Sequence, residues 1–267
     1  MSLAQAVILG VLQGVFEWLP VSSEAVISIV MTQVFGAGVT ESLNSAIWLH
    51  TGTMLAALIY FRKDFSEMLD FSFERLKNRN FEIEETETGK VFAFLLVATV
   101  FTSAVGGAIY LGVLQFLNSR PDLFAGLTGA ALLATGLLRF YQGGDERNPK
   151  NLDLIDSSLV GVLQGMAVIP GVSRSGSTVF GLLYRNFSGR EAFRLSFLLS
   201  VPAILIANIG INILSGFTAG TEMIVAAGVA FVVGYLSIDI VLKIAEKTAV
   251  AYLCFILAMF SFVPVFL

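Results

Sequence analysis

The sequence is poor in charge and in the side chains that build zinc sites and disulfides. Only 13% of its 267 residues are charged, against about 25% in soluble domains, and 56% are hydrophobic. The single cysteine, Cys254, excludes a disulfide within the chain, and with one histidine it leaves no ligand set for zinc. No Lys or Arg precedes Arg62, so the apolar start is expected to be mature protein and not a signal peptide. This composition excludes an ordinary soluble domain.

Long apolar runs are what the sequence has instead. About 20 apolar residues are enough to cross the hydrocarbon core of a bilayer. We predict six transmembrane helices, at 43–61, 91–117, 122–140, 191–214, 222–242 and 248–267. The expected fold class is an all-α polytopic membrane protein, with residues 1–267 in a single membrane domain.

Two further apolar segments, 2–35 and 157–187, are interrupted by polar residues. The first contains Pro20 and the run Ser22–Glu24, and the second contains Pro170 followed by the letters GVSRSGST. Irregular backbone at membrane depth is tolerated only where it is buried in protein or lines a wet cavity. We therefore predict that each segment is a re-entrant helix-loop-helix hairpin. A single kinked spanning helix is the alternative that the pattern leaves open.

An internal repeat relates the two interrupted segments. The letters GVLQG occupy residues 10–14 and 161–165, an offset of 151, and each copy is followed by a proline and then by serine. The chain then divides into repeat one (1–140, hairpin 2–35), a linker (141–156) and repeat two (157–267, hairpin 157–187). Because each half has one hairpin and three transmembrane helices, the second half must enter the membrane in the opposite orientation. The sequence thus predicts an inverted-topology repeat, with its site near the midplane where the broken segments meet.

Positive charge is divided unevenly between the two sides of this topology. Arg120 lies alone on one side, and fourteen basic residues lie on the other: Arg62, Lys63, Arg75, Lys77, Arg79, Lys90, Arg139, Arg147, Lys150, Arg185, Arg190, Arg194, Lys243 and Lys247. Because basic loops stay in the cytoplasm, this side is expected to be cytoplasmic and both termini to face out. A hairpin that crossed fully would divide these charges between the faces, so the count favours re-entry.

The long loop 62–90 is predicted to contain a helix of its own. Apolar residues recur in it at helical spacing: Phe65, Met68, Leu69, Phe73 and Leu76. With basic residues nearby, this helix is expected either to lie on the membrane surface or to serve as a plain connector.

Arg174 is the basic residue placed at membrane depth. An Arg there costs about 2.5–3.5 kcal/mol on insertion scales, and such residues generally face a cavity or a partner. It precedes a run that supplies hydroxyls, a glycine and the start of a half-helix: Ser175, Gly176, Ser177 and Thr178. Free backbone N–H groups at a helix start, together with a guanidinium, form an anion site that suits phosphate. The alternative is that Arg174 only ties to helix carbonyls or to Glu17.

The first hairpin supplies the opposite charge. Gln13 and Glu17 are four residues apart and share one face of a half-helix that leads to Pro20, and Glu24 begins the outgoing half. A carboxylate facing bound phosphate repels it unless it holds a divalent cation or acts as a base, and oxygen ligands suit Mg²⁺ or Ca²⁺. The lone histidine, His50, is expected to be a hydrogen-bonded packing residue, with an auxiliary role in the site as the alternative.

The two quoted motifs, GVLQGVFEWLPVSS and PGVSRSGST, resemble those of the BacA-type undecaprenyl pyrophosphate phosphatase family, and the resemblance spans the whole chain. It implies removal of one phosphate from a polyprenyl pyrophosphate, recycling of a lipid carrier for the cell envelope, a divalent cation and a site reached from the outer face. By that match, Glu17, Ser23 and Arg174 are the expected catalytic residues, and Gln13, Ser22, Ser173, Ser175 and Gly176 are the expected substrate-binding residues. The helix start adds Ser177 and Thr178 to the binding set, and Glu17 with Gln13 are the expected metal ligands.

One departure from the family pattern concerns proton transfer. After the two serines, typical members continue with a small or hydroxyl residue, a glycine and a histidine, whereas this chain has Glu24, Ala25 and Val26. Glu17 is the expected replacement for the histidine, with Glu24 second and His50 third. The divergence indicates an archaeal or otherwise distant member, whose carrier is undecaprenyl or dolichol-like.

Two functional classes stay open at this point. The first is the phosphatase, acting on a lipid pyrophosphate through either a Ser23 nucleophile or an activated water. The second is a membrane carrier or flippase for polyprenyl phosphate, because inverted repeats with broken helices are also a transporter architecture. The expected partners are the lipid and the bilayer, with no nucleic acid, and a homodimer is left open.

Overall fold

The computed structural model is all-helical in the residues that it describes. These are 1–19, 22–78, 86–112, 146–168, 172–215 and 218–245, with single positions at 130, 133, 252, 255, 258, 259 and 262. Nine helices are described in these ranges: α1 (Leu3–Phe16), α2 (Ser23–Ile29), α3 (Val39–Tyr60), α4 (Arg62–Asn78), α5 (Glu87–Gly112), α6 (Leu154–Gly165), α7 (Arg174–Tyr184), α8 (Gly189–Ser215) and α9 (Thr221–Ala245).

Three of the described helices are long and apolar enough to cross a membrane. They contain Glu87–Tyr110 in α5, Gly189–Gly210 in α8 and Thr221–Ile244 in α9, and they match three of the predicted transmembrane segments. Helix α3 covers the predicted segment 43–61 but is not among these three. Its polar residues lower its hydropathy, and several of them face the interior. The predicted segments 122–140 and 248–267 lie outside the described residues, apart from single positions.

Each interrupted segment consists of two separate helices. In the first, α1 is followed by α2, which continues into a π-helical turn, Val30–Val34. In the second, a 3₁₀ turn, Met166–Val168, follows α6, and α7 begins at Arg174, six residues after Val168. The second helix of each pair begins at a serine cap: Ser22 Oγ accepts from Ala25 N at 3.2 Å and Ser173 Oγ accepts from Gly176 N at 3.1 Å. These two caps are 151 residues apart, which is the offset of the GVLQG repeat.

The GVLQG glycines make the same kind of helix contact in both copies. A Cβ on Gly10 would lie 2.4 Å from the carbonyl oxygen of Ala226 in α9, and a Cβ on Gly161 would lie 2.5 Å from that of Ala98 in α5. Only glycine permits backbones to approach so closely, as in packed transmembrane helices. The first copy therefore packs on a helix of the second half of the chain, and the second copy packs on a helix of the first half.

A salt-bridge network fixes the start of α6. The buried carboxylate of Asp156 accepts from the Arg147 guanidinium through two contacts of 2.9 Å, and it also contacts Arg185. Asp153 caps the helix and pairs with Arg185 at 3.0 Å. Burial disfavours the charged form of Asp153, but the backbone N–H of Asp156 and the two arginines outweigh it, so the pKa of Asp153 lies below its ordinary value.

Aromatic packing connects the end of α1 to α8 and α9. Trp18 is fully buried, its ring centroid lies 4.7 Å from that of Phe197, and its Nε1 donates to the carbonyl of Gly234 at 2.9 Å. This contact holds the residue next to Glu17 in a fixed place, so the carboxylate is presented from a rigid support.

Helix α4 confirms the helix predicted in the loop 62–90. Met68 packs inward, whereas Leu69, Phe73 and Leu76 are 58%, 67% and 63% exposed along one stripe. An exposed apolar stripe of this kind is typical of a helix that lies at a membrane surface.

Candidate active site

Glu17 stands at the centre of the site, at the end of α1, and is only 3% exposed. Its Oε1 accepts from Arg174 Nη2 at 2.5 Å, and its Oε2 accepts from Gln13 Nε2 at 2.7 Å and from Ser23 Oγ at 3.0 Å. The donors come from both interrupted segments, so this one carboxylate joins them. A buried carboxylate is stable when it is paired and hydrogen-bonded in this way.

The facing ends of the two segments are also joined away from Glu17. Ser175 Oγ donates to the backbone carbonyl of Leu19 at 2.6 Å, and Arg174 Nη1 donates to that of Ser196 in α8 at 3.3 Å. A small pocket opens at this junction. Its polar lining comes from both segments and from α3: Glu17, Ser22, Ser23, Glu24, His50, Arg174 and Ser175.

His50 lies in this pocket, although the sequence favoured a packing role for it. Its Nε2 lies 3.4 Å from Ser23 Oγ and 3.2 Å from Glu17 Oε2. Its Nδ1 lies 2.7 Å from the carbonyl oxygen of Ala46, which can only accept, so Nδ1 carries a proton. With its proton on Nδ1, the ring can accept a hydrogen bond at Nε2. Ser23 Oγ donates its hydrogen to Glu17 Oε2 in this arrangement, and rotation of the hydroxyl would direct the hydrogen to His50 Nε2.

Several predicted binding residues support the pocket without lining it. Ser173 Oγ caps α7. The hydroxyl of Ser177 donates to the Ser173 carbonyl at 2.8 Å, and that of Thr178 donates to the Arg174 carbonyl at 3.0 Å. Gly176 is buried in the first turn of α7, with its N–H on the Ser173 cap. Their polar groups are engaged within the helix start, which leaves Arg174 and Ser175 as the members of this run that face the pocket.

Two contributions to the site carry no local sequence signal. The Ser196 carbonyl holds Arg174, and Thr53 Oγ1 lies 3.5 Å from Gln13 Nε2. Both come from long helices whose register against the hairpins is set by tertiary packing. A motif search within either helix therefore could not have found them.

The oxygen groups in and around the pocket fit the expected divalent cation in part. The Glu24 carboxylate lines the pocket and, among the described residues, makes no hydrogen bond or ion pair. Gln13 Oε1 is also buried, and it has no hydrogen-bond partner among the described residues. No group of three or more Asp, Glu, His or Cys side chains in the described ranges forms a metal cluster. Mg²⁺ typically takes one or two carboxylates and completes its shell with water and substrate phosphates, which suits Glu24.

Comparison with known proteins gives the family. The profile described as Bacitracin resistance protein BacA matches residues 6–263. The undecaprenyl-diphosphatase of Methanococcoides burtonii is 39% identical over 277 residues, covering 100% of both chains, and that of Haloarcula marismortui is 39% identical, covering 93% of this chain and 92% of its own. Undecaprenyl-diphosphatase 2 of Halalkalibacterium halodurans is 32% identical, covering 98% and 96%. The first two relatives are archaeal, in line with the expected divergence. The chain belongs to the BacA family.

Proposed function

We propose that the chain hydrolyses a polyprenyl pyrophosphate, undecaprenyl or dolichol-like, to the lipid monophosphate and inorganic phosphate. The observation that carries this proposal is the convergence of Glu17, Ser23, His50 and Arg174 in one pocket between the two interrupted segments. A proton acceptor, a hydroxyl and a guanidinium within contact distance are the groups that phosphoryl transfer requires. The names of the relatives support the same activity.

The membrane arrangement that goes with this activity is an inverted repeat. Each interrupted segment would enter the bilayer and return, with the pocket near the midplane, open to the outer face, and both termini outside. The shared cap positions Ser22 and Ser173 and the exchanged contacts of the GVLQG glycines support a repeat of 1–140 and 157–267. The lipid tail would stay in the bilayer while its head reaches the pocket. A homodimer stays a prediction.

Arg174 would hold the pyrophosphate. Glu17 and the Ser196 carbonyl fix the guanidinium through one N–H on each terminal nitrogen, which leaves the rest of the fork for phosphate oxygens. The first backbone N–H groups of α7 point outward from the N-terminal end of the helix. Their partial positive charge favours an anion there. The tie to Glu17, which the sequence left open as an alternative role, therefore positions Arg174 for the phosphate.

Glu24 would hold a Mg²⁺ or Ca²⁺ ion, with Ser22 beside it in the pocket lining. When bound, such an ion neutralises charge on the phosphate oxygens. Glu17 and Gln13 were the ligands expected from the sequence, but both oxygens of Glu17 already accept hydrogen bonds. Gln13 Oε1 has no hydrogen-bond partner among the described residues and can still accept one.

His50 would accept the proton in the chemical step. Ser23 Oγ attacks the terminal phosphorus, a serine–phosphorus bond forms, the bond to the lipid monophosphate breaks, and the Ser23 proton moves to His50 Nε2. The charge of the resulting imidazolium is stabilised by Glu17 Oε2, 3.2 Å away. His50 gives this proton to the departing lipid monophosphate and is neutral again. A water then attacks the phosphoserine, the serine–phosphorus bond breaks, phosphate leaves, and His50 Nε2 takes the water's proton and returns it to Ser23 Oγ. An activated water acting directly in the first step is the competing route, and Ser23→Ala distinguishes the two.

Glu17, the base expected from the sequence, takes a positioning role in this proposal. Its carboxylate accepts from Arg174, Gln13 and Ser23, and all three contacts stabilise the charged form, which weakens it as a proton acceptor.

Release of inorganic phosphate from a polyprenyl pyrophosphate by the purified chain, with and without Mg²⁺, tests the function. We expect turnover that depends on the cation. The carrier hypothesis predicts no phosphate release but movement of polyprenyl phosphate across proteoliposome membranes. The relatives' names favour the hydrolase.

A further inference from the structure

A second pocket lies apart from the active site, where α3 ends and α8 begins. This basic pocket is lined by Arg62, Lys63, Asp64, Arg190 and Arg194, together with the apolar side chains of neighbouring helix ends. It shares no lining residue with the active-site pocket. Tyr60, also in its wall, is ten residues beyond His50 along α3, which places the two pockets about 15 Å apart.

The carboxylates around the basic pocket are turned towards Arg194. That guanidinium contacts Asp64 and pairs with Glu191 at 2.9 Å and with Glu87 at 3.1 Å. Asp64, the acidic side chain among the described lining residues, is therefore already engaged by a cation. Its charge does not compensate the other basic residues of the wall.

Arg62 and Lys63 carry the excess positive charge. In the part of the chain that the structure describes, neither pairs with a carboxylate, and Arg62 Nη1 donates only to the carbonyl of Ile59 at 3.2 Å. Asp239, which stands next to the pocket, is engaged by Lys243 at 2.6 Å and by the Tyr60 hydroxyl at 3.2 Å. Two exposed cations at a concave surface, with the nearby acids of the described residues already paired, form a site for an anion.

The position of the pocket indicates an anion that belongs to a lipid. Arg62 is the first residue of α4, whose exposed stripe of Leu69, Phe73 and Leu76 needs apolar surroundings. Helix α4 therefore lies along the bilayer boundary, and the pocket at its start opens at headgroup depth. Leu242 adds an apolar side chain to the wall.

We propose that the basic pocket binds the phosphate headgroup of an anionic membrane lipid. The phosphate would lie between Arg62 and Lys63, and the acyl chains would run beside α4. Basic pockets between transmembrane helices recognise such headgroups through the same charge complementarity. The proposal is independent of the hydrolase activity, because none of the residues that carry it belongs to the active site.

Titration of phosphatidylglycerol into phosphatidylcholine nanodiscs that hold the full chain, with bound lipid read by native mass spectrometry, tests this. The double variant R62Q/K63Q should bind phosphatidylglycerol about thirtyfold more weakly, equivalent to about 2 kcal/mol at about 1.4 kcal/mol per tenfold. The control K77Q/K90Q removes two charges outside the pocket lining and should stay within about twofold of the unchanged chain. R190Q, with one lining charge removed, should fall between them.

Equal weakening in R62Q/K63Q and K77Q/K90Q would overturn the proposal, because the effect would then be general surface charge. Displacement of phosphatidylglycerol by inorganic phosphate at matched concentration would overturn the assignment to a lipid. Phosphate release from a polyprenyl pyrophosphate by R62Q/K63Q should equal that of the unchanged chain, so a failure of the lipid proposal and a failure of the hydrolase proposal give different results.

Discussion

His50 Nε2 lies 3.4 Å from Ser23 Oγ, although 27 residues and a change of helix separate them. Glu17 Oε2 lies within 3.2 Å of the same nitrogen. Because Nδ1 is held by a backbone carbonyl, the ring presents a fixed nitrogen to the serine. The arrangement makes His50 the proton acceptor of the proposed reaction.

Replacement of His50 by alanine should lower the rate of phosphate release by about 10²–10⁴-fold, the typical contribution of general acid–base catalysis. The matched control is Thr51→Ala, the next residue of α3, which is outside the pocket lining and should stay near the unchanged rate. A loss smaller than about tenfold in His50→Ala would show that another group accepts the proton.

Replacement of Arg174 by lysine keeps the charge but removes the planar fork. We expect kcat/KM for a polyprenyl pyrophosphate to fall more than about tenfold, because a charge-assisted hydrogen bond contributes about 1.5–3 kcal/mol. Thermal unfolding in detergent serves as the control for the lost contact with Glu17. Near-normal turnover in a folded Arg174→Lys protein would make Arg174 a structural tie only.

Glu24→Gln tests the proposed cation ligand. Since the Glu24 carboxylate makes no hydrogen bond or ion pair among the described residues, its replacement should leave thermal stability unchanged or slightly raised. The Mg²⁺ concentration required for half-maximal phosphate release should rise about tenfold or more, because a carboxylate is exchanged for a neutral amide. Glu41→Gln, an exposed acid in the first turn of α3, is the control and should change neither property. An unchanged Mg²⁺ requirement in Glu24→Gln would contradict the assignment.

The network at the start of α6 should matter for stability. Asp156→Asn leaves Arg147 and Arg185 without their buried acceptor and should cost about 3 kcal/mol of unfolding free energy. Asp153→Asn should cost much less, because Asp153 is 43% exposed and asparagine also caps helices well. Thermal melts of the two variants in one detergent give the comparison, and an equal loss would contradict it.

The lowered pKa of Asp153 also predicts how the stability of the fold changes with pH. Because its folded-state pKa lies below the ordinary value of 3.8, the stabilisation is present above that value and is lost as the pH falls through the folded-state pKa. Asp153→Asn should therefore narrow the stability difference between neutral and acidic pH. If the melting temperature of Asp153→Asn falls between neutral and acidic pH by as much as that of the unchanged chain, Asp153 does not contribute to the loss of stability in acid.

The glycine contacts of the repeat give a matched pair of variants. Gly161→Ala places a Cβ 2.5 Å from the Ala98 carbonyl and should force α5 and α6 apart, whereas a Cβ at Gly107 in α5 meets nothing within 4 Å. Gly161→Ala should lower the melting temperature and the activity together, and Gly107→Ala should lower neither. Equal behaviour of the two variants would contradict the role given to the repeat glycine.

The fold could be predicted from the sequence where the signal was local. Proline and serine in apolar runs marked both interrupted segments, and the GVLQG repeat marked the two helices that pack closely on α5 and α9. The Glu17–Arg174 contact is the alternative that the sequence left open for Arg174, because an arginine at membrane depth requires a partner. The sequence also predicted that Ser177 and Thr178 bind substrate. In the structure their hydroxyls donate to backbone carbonyls at the start of α7, as serine and threonine often do in helices.

The role of His50 could not be predicted in the same way. Its neighbours in α3 read as packing residues, and only the register of α3 against α1 and α2 brings its ring to Ser23. That register depends on tertiary contacts such as the one between Gln13 and Thr53. No pattern within one helix encodes it.

A double-mutant cycle on Ser23 and His50, read as phosphate released from a polyprenyl pyrophosphate, tests the central claim most directly. If the two residues act as one unit, Ser23→Ala and His50→Ala should each lose most of the activity, and the double variant should be no slower than the slower single variant. Independent losses that multiply in the double variant, or a Ser23→Ala protein that keeps nearly full activity, would contradict it.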